Sequence, residues 1–238
     1  MRNIIITGGA NGVGRAVANR LKKENLILVD IDKQNLERTA KQLSCNYFCC
    51  DLTEVDEVKK LTDFVLKNFK KVDCLINCAG LWTKGELSQL KDGHFAKINE
   101  LNRVKKIIDT NVFSSMAMIM EFAPIFISQK YGQIVNINSQ SGVVVEEFCP
   151  VYNASKQGAA AYRKAIQADL ARNNVKITDV CPGLIKTDFY VRAGDKLPDE
   201  IMSLGLEPDD VAGVVEYIVN LPSEITIPSI EIKNIKNY

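Results

Sequence analysis

Short, continuous apolar runs recur along the chain, separated by longer segments in which apolar residues repeat at helical spacing. Runs without polar alternation are typical of parallel strands that helices cover on both faces. Stripes such as Val13, Val17 and Leu21 indicate amphipathic helices between these runs. The predicted strands are residues 4–7, 26–29, 47–50, 72–77, 134–138 and 175–181, with a weaker last strand near residues 225–230.

Strand and helix alternate over nearly the whole sequence. Strict alternation with helix-length crossovers predicts an α/β fold, a doubly wound parallel sheet (a Rossmann fold) in three αβα layers. No internal repeat, low-complexity stretch or linker divides the sequence, so we expect a single domain over residues 1–238. Two turn-rich regions, residues 81–100 and 186–208, follow predicted strands at the rim where such folds bind ligands. The second is a candidate substrate lid.

The composition is that of an ordinary globular protein, with 46% hydrophobic and 25% charged residues. A formal net charge of +1 gives no basic field for nucleic acid and no cationic run for a membrane surface. No apolar run is expected to reach membrane-spanning length, and the first run is too short for a signal peptide. We therefore expect a cytoplasmic protein.

The seven cysteines have the spacing of neither a disulfide framework nor a zinc site. Cys49 and Cys50 are adjacent, so a strand would point them to opposite faces. His94, the single histidine, has no partner at ligand spacing. We expect reduced, mostly buried cysteines and no metal.

A glycine-rich turn over residues 7–14 joins the first predicted strand to a helix. A tight turn and a close approach of backbone to pyrophosphate both exclude a Cβ atom, which is why this chemistry needs glycines. The helix N-terminus adds free N–H groups and the positive end of the helix dipole. A glycine cluster alone is compatible with an ordinary loop, but its place between strand and helix predicts a dinucleotide site.

Aspartates stand at the ends of the second and third predicted strands. Asp30 can accept hydrogen bonds from the adenosine ribose hydroxyls and would repel a 2′-phosphate, which favours NAD over NADP. The nearest basic residue following it is Lys33. Asp51 is placed to accept from the adenine amino group, with Leu52 packed near the ring. The alternatives are a solvated strand-end carboxylate for Asp30 and a helix start for Asp51.

A set of motifs in fixed order resembles the short-chain dehydrogenases/reductases over essentially the whole chain. The set comprises the TGxxxGxG turn at residues 7–14, Asn77-Cys78-Ala79-Gly80, Asn111 in a mid-chain helix, Ser139 thirteen positions (152 − 139) before Tyr152, the YxxxK motif of Tyr152 and Lys156, and Pro182-Gly183. The resemblance implies an NAD(P)-dependent oxidoreductase that interconverts a secondary alcohol and a ketone or similar carbonyl.

Two features depart from the family pattern. Cys78 stands where the family carries a second asparagine, in a turn that faces the cofactor. The tail, residues 229–238, lacks the common glycine-rich finish, which puts in doubt the tetramer that many members form through that segment. This tail is similar instead to those of reductases that act on small hydroxy acids and other carbonyls.

The resemblance also completes the expected cofactor site. After Pro182-Gly183, the backbone of Ile185 and the hydroxyl of Thr187 would meet the nicotinamide carboxamide; a cap is the alternative role for Thr187. The full expected set is Thr7, Gly8, Asn11, Gly12, Val13, Gly14, Asp30, Ile31, Asp51, Leu52, Asn77, Ala79, Gly80, Tyr152, Lys156, Pro182, Gly183, Ile185 and Thr187.

Catalysis is assigned by the resemblance to Asn111, Ser139, Tyr152 and Lys156. Tyr152 and Lys156 are four positions apart, so a helix places them on one face. A free tyrosine has a pKa of about 10, and a neighbouring ammonium and the positive nicotinamide both favour the phenolate. Tyr152 would exchange the proton of the alcohol, Ser139 would hold the substrate oxygen, Lys156 would bind the nicotinamide ribose, and Asn111 would hold a water that links Lys156 to solvent. Taken singly, each residue is also compatible with a structural role.

The substrate pocket is expected at the rim, lined by Trp82, Ser139, Phe148 and Phe189. Further apolar candidates are Leu81, Val143, Val144, Val145, Cys149 and Tyr190. Glu146 and Glu147 are interpreted as a solvated loop face; pointing inward, they would disfavour anionic substrates. The apolar lining suits a substrate with a hydrophobic part and does not separate steroid, sugar, ketoacyl and hydroxy-acid substrates.

Two other functions are compatible with the fold. One is a nucleotide-binding regulatory protein without turnover, although a binding role does not need the Ser139, Tyr152 and Lys156 relay. The other is an NAD-dependent epimerase, for which the chain is short of the usual extra substrate domain. By resemblance we also expect a homodimer or homotetramer, with faces on the predicted helices at residues 104–128 and 150–172.

Overall fold

Seven parallel strands form one sheet in the computed structural model, which describes residues 1–83, 98–147 and 149–236. The strands are β1 (Asn3–Thr7), β2 (Asn25–Asp30), β3 (Asn46–Cys49), β4 (Cys74–Asn77), β5 (Gly132–Ile137), β6 (Val175–Pro182) and β7 (Ser229–Ile232). Their order across the sheet is β3-β2-β1-β4-β5-β6-β7. The predicted doubly wound fold is confirmed, and its topological switch point lies between β1 and β4, where ligands bind in such sheets.

Helices connect successive strands on both faces. They are α1 (Gly12–Arg20), α2 (Lys33–Leu43), α3 (Val55–Asn68), α4 (Ile98–Ile108), α5 (Ser114–Gln129), α6 (Pro150–Arg172), α7 (Phe189–Arg192), α8 (Asp199–Ser203) and α9 (Pro208–Val219). A π-helical turn, Asp109–Phe113, joins α4 to α5, and a 3₁₀ turn, Gln140–Gly142, follows β5. The helix expected at residues 104–128 is therefore a longer helical rod with an interruption, and α6 matches the expected helix at 150–172.

The core divides into two apolar clusters, one on each face of the sheet. Ile4 and Ile6 point to the face covered by α1, α2 and α9, whereas Ile5 between them points to the face covered by α3, α5 and the end of α6. All three isoleucines are fully buried. The continuous apolar runs in the sequence follow from this arrangement, because every position of a central strand meets a helix layer.

The last strand lies later in the chain than the sequence predicts. β7 covers Ser229–Ile232 rather than the region near 225–230, and it pairs with β6. Pro228 stands directly before it, and a proline has no N–H to donate to a ladder, so pairing begins after it. The turn-rich region 186–208, expected to be irregular, contains the short helices α7 and α8.

One helical stretch, Leu101–Gln129, is long and apolar enough to cross a membrane by length and composition. The expectation that no stretch reaches that length was wrong. Met118, Phe122 and Phe126 on this stretch are fully buried against the sheet. Only 33% of its apolar window is buried within the chain, which leaves a second apolar face outward.

Candidate active site

The glycine turn after β1 has the conformation that only glycines adopt readily. Gly8 and Gly12 have positive φ angles of 65° and 52°. A Cβ on Gly14 would lie 2.2 Å from the carbonyl oxygen of Gly8, so the turn closes on itself without room for a side chain. Asn11 precedes α1 and makes no side-chain cap, so the first N–H groups of α1 remain available at the cleft.

A single cleft of about 1570 Å³ runs from this turn across the carboxyl ends of the strands. It exceeds the roughly 300–1,000 Å³ of ordinary ligand pockets, so it has room for an extended ligand and a second molecule. Most of the expected cofactor residues line it, namely Gly8, Asn11, Gly12, Val13, Gly14, Asp30, Ile31, Asp51, Leu52, Ala79, Gly80, Tyr152, Lys156, Pro182, Gly183, Ile185 and Thr187. Thr7 and Asn77 are buried beneath the cleft rather than in its wall.

Backbone N–H groups hold the carboxylate of Asp30 at the end of β2. Its Oδ2 accepts from the Ala10 N–H at 3.0 Å, and its Oδ1 accepts from the Asp32 N–H at 3.0 Å. Asp32, which the sequence did not single out, accepts from the Asn11 amide at 3.2 Å. Hydrogen bonds from Asn35 to Asp32 lower the pKa of this second carboxyl. Two neighbouring carboxylates therefore stand beside the glycine turn.

Asp51 and Leu52 follow β3 at the same rim. The Asp51 carboxylate accepts from the N–H of Thr53 at 2.9 Å and from its hydroxyl at 2.7 Å, which makes a local turn. The N-cap position of α3 is Glu54, so Asp51 does not cap that helix. Leu52 is buried and also lines the cleft. Ile31, between the two acidic strand ends, is 65% exposed and offers an apolar surface to the cleft.

The strand ends of β1 and β4 are joined by Thr7. Its hydroxyl accepts from the N–H groups of Cys78 at 3.1 Å and Ala79 at 3.2 Å, which fixes the turn after β4 against the glycine turn. A Cβ on Gly8 would approach the Ala79 nitrogen to 2.9 Å, so the two turns are in close contact. This contact explains why a small residue and a hydroxyl are needed at the switch point.

A row of polar residues crosses the sheet directly below the cleft. Thr7, Asn77, Asn136 and Asp179 are in register on β1, β4, β5 and β6. The Asn77 amide donates to Asn136 Oδ1 at 3.0 Å, and the Asn136 amide donates to Asp179 Oδ1 at 3.0 Å. Arg163 Nε on α6 lies 3.2 Å from Asp179 Oδ2 in an ion pair that is almost fully buried. The sequence signal was a polar residue in each of three buried strands, which the apolar pattern concealed.

Asn111 lies in the π-helical turn, and π-turns often occur at functional sites. Its side-chain amide donates to the Leu81 carbonyl at 2.8 Å and to Ser155 Oγ at 3.0 Å, while its Oδ1 accepts from the Leu81 N–H at 2.7 Å. The side chain thus ties the segment after β4 to α6. A second, small polar cavity of about 20 Å³ lies beside Asn111 and Lys156, large enough for one water molecule.

Tyr152, Lys156 and Ser139 meet at one end of the cleft. The first turns of α6 carry Tyr152 and Lys156, and the Lys156 ammonium lies 5.8 Å from the Tyr152 ring centroid while donating to the Ile137 carbonyl at 3.2 Å. Ser139 follows β5, and its side chain lies close enough to Tyr152 to lower the pKa of that hydroxyl. Both α6 side chains are less than a tenth exposed. All three residues line the cleft, as the sequence predicts.

Burial dominates the protonation of this group. Desolvation raises the pKa of Tyr152 well above its usual value, although the nearby Ser139 side chain opposes the shift. Desolvation lowers the pKa of Lys156 to about 8, and the charge of Asp179 opposes it. The sequence argument that the ammonium favours the phenolate is therefore outweighed in the protein alone, where Tyr152 carries its proton through the neutral range.

The segment after β6 closes over the glycine turn. The side chain of Thr187 would lie 3.6 Å from a Cβ on Gly12, so the two sides of the cleft nearly touch there. Both ends of the region 186–208 are clamped together, since the Lys186 N–H donates to the Leu206 carbonyl at 2.8 Å and the Lys186 ammonium pairs with Glu207 at 2.8 Å. Between these ends, α7 and α8 overhang the cleft.

Aromatic side chains wall the cleft next to Tyr152. Trp82, Cys149 and Tyr152 form a small buried cluster against which Phe189 and Tyr190 pack. The Trp82 and Tyr190 rings meet edge to face at 4.9 Å. Val143, Val144 and Val145, expected in the pocket, are instead 43–75% exposed and stay outside it. Phe148 and His94 lie outside the described residues.

Glu146 is the clearest difference between the expected and observed pocket. Its Oε2 accepts from Ser141 Oγ at 2.9 Å, and its side chain lines the cleft, so its interpretation as part of a solvated face was wrong. Glu147 is exposed, as that interpretation requires. Apolar periodicity carries no signal for the direction of a loop side chain, so the sequence could not separate the two glutamates.

The cysteines are free, and four of the seven are buried. Burial raises the pKa of the Cys149 thiol to about 12 and that of Cys50 to about 12, so both are inert thiols at neutral pH. Within the described residues, no group of three His, Cys, Asp or Glu side chains is arranged to hold a metal ion.

Known proteins share the sequence pattern and the fold of this chain. A family model described as short chain dehydrogenase matches residues 2–197. The chain belongs to the short-chain dehydrogenase family. An uncharacterized oxidoreductase of Staphylococcus aureus (strain MW2) is 26% identical over 234 residues, 96% of this chain and 95% of the relative. Another, from Staphylococcus saprophyticus, is 25% identical over 237 residues, again 96% and 95% of the two chains.

Solved structures show the same fold. An alcohol dehydrogenase from the archaeon Thermococcus sibiricus, complexed with 5-hydroxy-NADP, has a TM-score of 0.85 at 22% identity and covers 99% of this chain and 97% of its own. A closed serine dehydrogenase complexed with NADP+ has a TM-score of 0.86 at 21% identity, with coverages of 98% and 95%. Family membership makes this short-chain dehydrogenase an oxidoreductase that needs a nicotinamide cofactor.

Proposed function

We propose that this short-chain dehydrogenase interconverts a secondary alcohol and a ketone or similar carbonyl, with Tyr152 as the acid and base. The observation that carries the proposal is the meeting of Tyr152, Ser139 and Lys156 at one end of a cleft whose other end is the glycine turn. A binding-only regulatory protein would need the turn but not this group of three side chains at the other end of the cleft. A cleft that joins both features suits a hydride transfer between two bound molecules.

The residues present fit a dinucleotide. The glycine turn leaves a cradle that a Cβ would fill, and the uncapped start of α1 offers N–H groups to a pyrophosphate. Asp30 and Asp51 would receive the adenosine end, and Thr187 and Ile185 the nicotinamide end. When bound, the nicotinamide supplies or accepts the hydride.

We further propose that NAD is preferred to NADP. The Asp30 carboxylate is fixed by two backbone N–H groups at the cleft, and Asp32 adds a second negative charge near it. A 2′-phosphate entering there would meet both charges, whereas ribose hydroxyls would donate to them. The two solved structures contain NADP-type ligands, but those ligands are bound by the other proteins and do not decide the cofactor of this chain.

In the reducing direction, Tyr152 donates its proton to the carbonyl oxygen, since burial keeps it protonated at neutral pH. Ser139 orients the same oxygen. Lys156, held by the Ile137 carbonyl, would bind the nicotinamide ribose and support the negative charge that develops on Tyr152. A water in the small cavity beside Asn111 and Lys156 would pass the proton onward, with Asn111 holding the segment that shapes the cavity.

Calorimetric titration with NADH and NADPH under identical conditions tests the cofactor, and a panel of secondary alcohols tests the reaction. We expect tight NADH binding, weaker NADPH binding, and turnover that Tyr152→Phe abolishes. Tight NADPH binding would contradict the proposed role of Asp30. Binding of NADH with no turnover of any alcohol or carbonyl would favour the regulatory alternative.

We propose that the chain is one domain whose region 186–208 acts as a substrate lid, and that it forms a homodimer or homotetramer in the cytoplasm. The outward apolar face of α5 supports association, since Met120 is 66% exposed on a helix whose opposite side is core. Light scattering on the purified protein tests the assembly, and a monomer would contradict it.

A further inference from the structure

One carboxylate stands in the aromatic wall beside Tyr152. Glu146 is held there from two sides, by the Ser141 hydroxyl at 2.9 Å and by the Cys149 thiol at 3.6 Å from its Oε2. Cys149 is fully buried and packs in the same cluster as Trp82 and Tyr152. The carboxylate is therefore fixed at the edge of the pocket that would receive the substrate, next to the proposed proton donor.

No cationic side chain of the described residues forms an ion pair with Glu146. Of the lysines that line the cleft, Lys105 pairs with Asp109 and Lys186 pairs with Glu207, while Lys106 forms no ion pair with Glu146. Lys156 is directed to the Ile137 carbonyl and the Tyr152 ring. Among the described residues, the Glu146 carboxylate has no ion-pair partner; burial and then this negative charge raise the pKa of Tyr190 to about 12.

The surroundings of this charge are aromatic. The ring centroids of Trp82 and Tyr190 lie 4.9 Å apart, edge to face. The ring centroid of Phe189 lies 5.9 Å from that of Tyr190 and 6.4 Å from that of Tyr152. Aromatic faces attract organic cations through their negative quadrupole, and a carboxylate at the edge of such a wall adds a charged acceptor. An anionic substrate would be repelled, and a neutral one would supply no positive charge to the carboxylate as water is displaced from it.

We propose that the substrate carries a cationic amino group, bound by Glu146 and the aromatic wall, while its alcohol or carbonyl oxygen meets Tyr152 and Ser139. This inference rests on the proposed function and narrows it to amino alcohols and the corresponding amino ketones. Glu146 is then a specificity-determining residue of the reaction.

The same geometry couples recognition to the proton transfer. The titratable side chains around Tyr152 are Lys156, Cys149, Tyr190 and Glu146. Burial is the largest cause that raises the pKa of Tyr152, and Tyr190, Cys149 and Glu146 each raise it further. A bound ammonium neutralises the charge of Glu146, so it favours the phenolate and eases oxidation of a cationic alcohol relative to a neutral one.

The test compares two alcohols that differ by an ammonium and a methyl group, 1-amino-2-propanol and 2-butanol, in oxidation by the holoenzyme. We expect kcat/KM to favour the amino alcohol by about 10- to 100-fold, the range of one charged hydrogen bond. Glu146→Gln should remove this preference, raise activity on 2-butanol, and move the pH dependence of 2-butanol oxidation to lower pH. Glu147→Gln, an exposed neighbour with the same charge change, should keep the wild-type preference.

Equal turnover of both alcohols, or equal losses on both in Glu146→Gln, overturns the inference and leaves the proposed function standing. If the enzyme turns over neither alcohol and no other alcohol or carbonyl compound, the proposed function is overturned. In that case calorimetry of 1-amino-2-propanol with the NADH complex still decides the subsite: saturable binding lost in Glu146→Gln supports it, and no binding refutes it.

Discussion

The two ends of the cleft are formed by different chemical groups, backbone at one end and side chains at the other. At the nucleotide end, backbone groups make the surface: glycines at positive φ, free N–H groups of α1, and amides that hold Asp30. At the substrate end, side chains make it: the rings of Trp82 and Tyr190 and the carboxylate of Glu146. A surface made of backbone groups changes little on substitution, whereas a wall of side chains changes directly with them, so we expect substrate specificity to depend on the second end.

Tyr152 lies where the two ends meet, so its loss should break catalysis without disturbing nucleotide binding. For Tyr152→Phe we expect kcat to fall by about 10²–10⁴-fold, because the proton donor is removed while the ring remains. Steady-state kinetics measures the loss, and NADH calorimetry on the same variant should show that the cofactor still binds, since the other residues of the cofactor site remain. A variant that retains a tenth of the wild-type kcat would remove Tyr152 from the mechanism.

Asp179 supports both ends from below, through the polar row and the buried pair with Arg163. Asp179→Asn leaves the Arg163 charge buried and unpaired, so we expect a loss of about 3–5 kcal/mol in unfolding free energy. The pKa of Lys156 should fall below about 8, because the negative charge that opposes its desolvation is gone. Urea unfolding measures the first effect.

The pH dependence of activity measures the lowered pKa of Lys156 in Asp179→Asn, since deprotonation of Lys156 would then begin at lower pH. Asp169→Asn is the matched control. Asp169 lies on α6, is exposed and pairs with Arg172, so its substitution should change the unfolding free energy by less than about 1 kcal/mol. Equal effects of the two substitutions would show that burial of the Asp179 pair is unimportant.

The backbone character of the nucleotide end predicts that a single methyl group is not tolerated there. Gly14→Ala would place a Cβ 2.2 Å from the Gly8 carbonyl oxygen, so we expect about 1–3 kcal/mol of destabilisation and loss of NADH binding. Gly158→Ala on α6 meets Val112 at an ordinary 3.7 Å and should be neutral or stabilising by up to about 1 kcal/mol. Thermal unfolding and calorimetry separate the two; an intact turn in Gly14→Ala would contradict the comparison.

The smallest expected effect is on the choice of dinucleotide. Asp30→Asn keeps an acceptor but removes the charge, so we expect the ratio of NADH to NADPH affinity to fall about tenfold, or about 1.4 kcal/mol. Asp63→Asn, the same charge change on an exposed position of α3, should leave the ratio unchanged. A ratio insensitive to Asp30 would move the origin of the preference elsewhere, first to Asp32.

The fold could be predicted because its signals are local. A buried parallel strand reads as a continuous apolar run, a covering helix reads as a stripe, and a glycine turn reads as glycines at set spacing. The positions of Tyr152 and Lys156 on one helix face followed from the same periodicity. The shift of β7 shows the limit of this reasoning, because Pro228 acts on strand pairing rather than on hydrophobicity.

What only the tertiary structure decided is which polar groups face each other across the layers. Glu146 and Glu147 are neighbours in sequence, yet one lines the cleft and the other is exposed. Arg163 and Asp179 form their buried pair because α6 packs on β6. Such pairings depend on how loops turn and elements pack, and periodicity along the chain carries no information about either. The sequence thus determined the scaffold and pointed to the residues that we propose react, while the packed structure decided the charges that surround them.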